Sequence, residues 1–193
     1  MRHAATSFLA RSTIESSVVP YNVSSYRDET KGLVAVEYGL HSLSEQKPHR
    51  PLAALSEWWA ETEAETGRLP RILPGGLIRT IGMARNLHVY DVTPQEPLDY
   101  RILFWGRNAA LNNYSIGTTK QFRSFQPFSY AVWAAGAVHQ VKSHGKPILH
   151  YVMSTSVTGT AKRHRLMLPL SKDSVTVDRV ISAWIYDAFS LVE

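Results

Sequence analysis

The chain has 193 residues, 44% of them hydrophobic and 19% charged, with a formal net charge of +5. That length suits one domain of ordinary size plus an extension, and the composition is globular and not disordered. With no cysteine present, disulfides, thiolate nucleophiles, Cys-ligated zinc and iron–sulfur chemistry are excluded together, and a cytoplasmic location is expected. No stretch approaches the roughly 20 apolar residues of a transmembrane helix, so no membrane span is expected.

Residues 1–47 read as an N-terminal extension. The opening "MRHAATSFLARSTIESS" carries Arg and Ser and no acid before Glu15, a texture shared with organelle transit peptides. A polar start without fixed structure is the simpler reading, and the apolar run is too short for a secretory signal. "LVAVEYGLHSL" is a short ordered element. Leu33, Val36, Leu40 and Leu43 approach helical spacing, whereas "LVAVEY" alternates like a strand, and both readings stay open.

Residues 48–193 form the domain proper. "PLAALSEWWAETEAETG" is its clearest helix, with Leu52, Leu55, Trp58 or Trp59, and Thr62 on one stripe. Pro51 suits a first helical turn and Gly67 a helix stop. "RLPRILPGGLIRTIGMARN" reads as a loop or a chain of short turns. "LHVYDV" and "YRILFW" are strands joined as a hairpin across "TPQEP". Short helical pieces are expected over residues 107–130, broken at Gly117 and Pro127. "FSYAVWAAGAVHQVKSHG" is a longer helix with Phe128, Val132, Ala135, Val138 or His139, and Val141 or Lys142 on one stripe, closed by Gly145. The strands "ILHYVMSTS", "RHRLMLPLS" and "RVISAWIYD" follow as a meander. Two strands, a helical crossover and three strands make an α+β domain with one five-stranded antiparallel sheet. In the last strand Val180, Trp184 and Tyr186 face one way and Ile181, Ala183 and Ile185 the other, so both sheet faces need cover. The crossover helices supply one cover. The Trp58/Trp59 helix supplies the second, in its own chain or in a partner.

The order of elements and the passages "PLAALSEWWAE", "GRLPR", "YRILFWGRNAAL", "ILHYVMSTS" and "HRLMLPLSKDSVTVDRVIS" resemble the stand-alone PAS-like proteins of alphaproteobacteria. The likeness spans about residues 50–187, and "LMLPLSKDSVTVDRVI" is its most specific part. "NNYSIGTT" departs from it, standing where those relatives carry an Asp-Leu-Thr-Gly-like turn. The resemblance implies a PAS-like sheet and a bacterial regulatory domain that senses a small molecule or docks a protein, often as a homodimer. It specifies no cofactor, since PAS domains use haem, flavin, organic acids or nothing.

The residues themselves argue against most chemistry. His139 and His144 are five apart on a helix and share no face, and His150 and His164 fall on separate strands, so no metal site is expected. A single helical histidine has the chemistry of an axial haem ligand, although a surface or satisfied core histidine is the commoner role. Ser154, His164 and Asp178 lack a nucleophile elbow, and "PGG" and "GTAKRHR" lack the strand–glycine loop–helix grammar of phosphate loops. No catalytic residue is assigned. "KRHR" and "KQFRSFQPFSY" mix basic and aromatic side chains as nucleic-acid binders do. On a strand, however, Arg163 and Arg165 share one face and His164, Leu166, Leu168 and Leu170 the other, so the cluster reads as a solvated strand end.

The resulting expectation is a cytoplasmic, stand-alone PAS-like regulatory protein that binds a small ligand or a protein and has no catalytic output. A nucleic-acid-binding protein or a small-molecule-converting enzyme is the alternative. Ile102, Phe104, Tyr114, Trp133, Leu166 and Leu168 are the expected pocket residues, and Trp58 and Trp59 the expected interface residues.

Overall fold

The computed structural model describes residues 25–28, 33–38, 50–106, 108, 115–116, 120–126, 128–156 and 159–190. Strands β1 (Ser25–Asp28) and β2 (Leu33–Tyr38) precede helix α1 (Arg50–Thr66), the short helix α2 (Gly75–Thr80), and strands β3 (Leu87–Asp91) and β4 (Arg101–Trp105). The crossover contains the small pair β5 (Ser115–Ile116) and β6 (Phe125–Gln126), then helix α3 (Phe128–His144). Strands β7 (Ile148–Ser156), β8 (Gly159–Leu170) and β9 (Arg179–Ser190) complete the chain.

Seven strands form one sheet in the order β1-β2-β7-β8-β9-β3-β4, with every neighbour antiparallel. The five expected strands stand together in it as β7-β8-β9-β3-β4. The sheet does not end there. Leu33–Tyr38 pairs with β7 from Leu33↔Ser154 to Tyr38↔Leu149, which settles the open reading of "LVAVEY" as a strand and carries part of the extension into the sheet. Backbone pairing explains the choice: strand β7 presents a row of N–H and C=O groups that a helix leaves unsatisfied.

The two faces of the sheet have different covers. Beneath α3, on the inner face, Tyr90, Ile102, Ile148, Val152, Met167, Val180 and Trp184 join Phe122 and Phe125 in one core. Helix α3 meets them with Ala131, Ala134, Ala135, Val138 and Val141. Ala135, Val138 and Val141 of the expected stripe are buried, but Val132 is 49% exposed and Ala131 takes its place in the core. A helix that buries mostly alanine can approach a sheet closely, which brings larger side chains at its margins into reach. Beneath α1, on the outer face, Leu52, Leu55 and Trp59 pack on Leu149, Leu166, Leu168 and Ile181. Each such burial contributes about 1.5–3 kcal/mol. Trp59 also donates its indole N–H to Pro169 O at 2.8 Å. The outer cover is therefore supplied by the chain itself.

The residue 68–86 segment, read as loop and turns, contains α2 and a single 3-10 turn over Ala84–Asn86. At six residues, α2 is too short for its apolar period to stand out from its glycines. In the crossover, a short helical piece stands at Phe122–Ser124 as a 3-10 turn, whereas Ser115–Ile116 and Phe125–Gln126 are paired strands instead of the helical pieces expected there.

Strand β4 departs from simple alternation. Val89 pairs with Phe104 and Tyr90 with Ile102, so the ladder skips Leu103 as a β-bulge. Ile102 therefore faces inward with Tyr90, and Phe104 faces outward with Val89. Just beyond, Gly106 donates its N–H to Leu87 O at 2.7 Å. A Cβ at Gly106 would stand 2.4 Å from that same oxygen, so only glycine fits where the strand leaves the sheet.

Two glycine substitutions separate these effects. Gly106→Ala is expected to destabilise the protein by about 1–3 kcal/mol, because backbone and not a flexible side chain must move. Gly136→Ala, in the middle of α3 with open space around it, is expected to stabilise by about 0.5–1 kcal/mol. Urea unfolding midpoints of the two variants measure both.

Candidate functional site

The inner face holds a line of polar side chains where a sheet core usually holds apolar ones. Register places His150 on β7 opposite Arg165 on β8, and Arg165 opposite Trp184 on β9. Arg163, two residues earlier on β8, stands opposite Val152 and Tyr186. Four of these side chains are sealed from water: Arg163 is 0% exposed, Arg165 2%, His150 3% and Trp184 2%, while Tyr186 reaches the surface.

Aromatic rings surround the two guanidinium groups. Arg165 lies 4.4 Å from the Trp133 ring centre and 5.1 Å from that of Trp184. Arg163 lies 5.0 Å from Trp184 and 5.9 Å from Tyr186. Cation–π attraction of this kind is strongest where water is excluded. Arg165 Nη2 also bonds to His150 Nδ1. Arginine can only donate, so Nδ1 accepts and the imidazole is neutral with its proton on Nε2. Burial, and then the Arg165 charge, hold the His150 pKa well below the ordinary histidine value.

That proton assignment has a chemical consequence. His150 Nε2–H, the Trp184 indole N–H and the Ser182 hydroxyl are buried and have no hydrogen-bond partner among the described residues. Ser182 is two residues from Trp184 on the same strand face and stands opposite His88 and Met167. His88 stacks on Trp105 with ring centres 3.9 Å apart. The inner face is thus rich in donors, bordered by aromatic walls, and positively charged. An acceptor such as a carboxylate complements it.

The outer face carries a different feature, a cavity of about 290 Å³ between α2, the Ile72–Leu73 segment and strands β3, β4 and β9. Nine of its ten lining residues are apolar, Phe104, Leu87 and Ile181 among them, and the tenth is Arg179.

The expected pocket residues do not share one site. Ile102 and Trp133 belong to the inner face, where Trp133 packs on Arg165. Phe104 lines the outer cavity, and Leu166 and Leu168 are in the outer core under α1. The bulge at Leu103 sends Phe104 away from Ile102, and alternation on β8 sends Leu166 and Leu168 away from the arginines. Tyr114 lies outside the described residues. Of the expected interface residues, Trp59 is buried in its own chain's core and Trp58 packs partly buried against the same cluster.

The reading of Arg163 and Arg165 as a solvated strand end is corrected. Their shared face is right, but that face is the one α3 covers, so neither charge can reach a nucleic-acid backbone. The sequence did carry a signal: Trp184 and Tyr186 face the same way on the adjoining strand, and both faces needed cover. His139 accepts or donates a 2.7 Å bond between Nδ1 and the Tyr100 hydroxyl. Burial, and then Glu96, push the Tyr100 pKa up to about 12. No group of three or more His, Cys, Asp or Glu able to hold a metal occurs among the described residues. No described helix is long and apolar enough to cross a membrane.

Comparison of the chain with protein-family models, with curated proteins and with solved structures finds no match.

The buried neutral histidine makes stability depend on pH with a definite sign. Its folded pKa is depressed, so below about pH 6.5 the unfolded chain takes up a proton that the native state refuses. Stability attributable to His150 is complete above that pH and falls by up to about 1.4 kcal/mol per unit on acidification. Urea unfolding at about pH 7.5 and about pH 5.5 is expected to show a smaller loss for His150→Gln than for the parent chain.

Proposed function

We propose that this chain is a cytoplasmic PAS-like regulatory protein that binds a small carboxylate-bearing ligand between the sheet and α3, and signals by a change in what it binds, without catalysis of its own. The observation that carries this reading is the set of three buried donors on His150, Ser182 and Trp184 beside two buried guanidinium groups. A buried donor left without an acceptor costs about 1–3 kcal/mol, and a ligand oxygen that meets it recovers that free energy. The order of elements, two strands, a helical crossover and three strands, supports the PAS-like part of the proposal.

The same geometry suggests how binding is transmitted. Trp133 is on α3 and rests on Arg165. Two turns further along the helix, His139 bonds to Tyr100, and Lys142 donates to Pro94 O at 3.0 Å. A ligand that redirects the Arg165 guanidinium changes the seat of Trp133, and α3 carries the displacement to the β3–β4 connection. Binding shifts the two arrangements only as far as the ligand's affinities for them differ.

Thermal and urea unfolding with a panel of small mono- and dicarboxylates, each matched to its amide, tests the proposal. A fitting carboxylate at 100 times its Kd is expected to stabilise the fold by about 2.7 kcal/mol, with no effect of the amide. Arg165→Gln is expected to abolish the gain. Glu37 is the register partner of His150 on β2, so Glu37→Gln is included. Stabilisation of that variant alone, or of neither protein, with no excess mass in native mass spectrometry, overturns the ligand reading.

A further inference from the structure

We infer a second ligand site, on the outer face, that takes a straight-chain monocarboxylate of about eight carbons. It is independent of the inner-face proposal. Helix α1 packs on β8 and β9 and ends at Thr66. The sheet continues beyond it to β3 and β4, where, among the described residues, Ile72, Leu73, Ile78 of the six-residue α2 and Ala84 face Leu87, Val89 and Phe104 across the cavity. The volume between them is about 290 Å³.

Its chemistry is that of an amphipathic guest. Ile78, Leu87 and Ile181 line the interior, while Ile72, 72% exposed, and Phe104, 47% exposed, belong to its lining and to the surface as well. At about 30 Å³ for each water-sized group, the volume suits about ten non-hydrogen atoms, the number in octanoate. A polar body is excluded, because the lining offers it almost no partners.

Arg179 supplies the head-group site. Among the described residues its guanidinium donates no hydrogen bond, and the nearest approach is 3.9 Å to Asp178 Oδ1, beyond hydrogen-bond length. Of the two carboxylates flanking it, Asp178 faces Arg179 as an ion pair through Oδ1, an oxygen with no hydrogen-bond partner among the described residues, while its other oxygen and Asp91 are engaged elsewhere. Asp178 Oδ2 accepts from Lys172 N at 2.9 Å. Asp91, opposite Arg179 in the register, accepts from Thr93 N at 3.0 Å and from the Thr93 hydroxyl at 2.6 Å. Arg179, the one charged residue of the cavity lining, is thus the group that meets the ligand's carboxylate, while the alkyl chain lies along Leu87 and Ile181.

Calorimetric titration of the full chain with octanoate, hexanoate, 1-octanol and octylamine, all below micelle formation, tests this. Saturable octanoate binding is expected, about fifteenfold weaker for hexanoate because two methylenes are lost. 1-Octanol is expected to bind about tenfold more weakly than octanoate, and octylamine more weakly still. Arg179→Gln is expected to erase the preference for octanoate over octanol, and Ile72→Ser, at an exposed position, to weaken both. Arg165→Gln, which disables the inner site, is expected to leave octanoate affinity unchanged, so that failure of one site is distinguishable from failure of the other. Absence of saturable octanoate binding overturns the inference, as does an octanoate-to-octanol ratio that Arg179→Gln leaves unchanged. Octanoate binding lost in Arg165→Gln assigns the ligand to the inner face and also overturns it.

Discussion

Placing two guanidinium groups inside a β-sheet core is the demand to which the rest of the inner layer responds. Arginine keeps its charge at any physiological pH, and removing that charge from water is costly unless something replaces the hydration. Here the replacement includes the faces of Trp133, Trp184 and Tyr186 and the Nδ1 lone pair of His150. The arrangement makes the imidazole neutral, sets its tautomer and turns its remaining N–H into the buried layer. It also requires α3 to lie close enough for Trp133 to reach β8, which the alanines of its buried face allow.

The sheet divides two environments of opposite character. On the inner side, cations, rings and donors make a layer whose polar groups depend on one another, so a partner that changes one of them changes several. On the outer side, aliphatic side chains pack under α1 in the ordinary way, with the Trp59 indole N–H satisfied by Pro169 O. Packing there is complete only as far as α1 reaches. Past its end the short α2 takes over, and the hollow beside it is mostly apolar because Leu87, Val89 and Ile181 are outward positions of β3 and β9, with Arg179 the exception. A single strand, β9, serves both layers, with Trp184 and Val180 on one side and Ile181 and Ala183 on the other.

Much of the scaffold was legible because its signals are local. Pro51 and Gly67 bracket α1, Gly145 closes α3, and the alternating runs after residue 147 are strands. The alternation of "RVISAWIYD" sorted its side chains correctly between faces. Signals that depend on partners were not legible. "LVAVEY" satisfies helical and strand periods alike, and only the unpaired edge of β7 decides between them. "GGLIRT" is too short for any period to show. The candidate site suffered most: Arg163 and Arg165 were placed on one face, but the same pattern describes a wet strand end and a buried charged row.

The amino-acid sequence by itself determined the order of the larger elements from α1 onward, most of their limits, and which side chains share a face within a regular strand. These follow from backbone period and from the special chemistry of proline and glycine, which act over a few residues. Tertiary structure decided which face is dry, where the alternation of β4 breaks at Leu103, and how far α1 extends over the sheet. Each of those depends on contacts between segments distant in the chain, since burial and register are properties of a pairing and not of either strand alone.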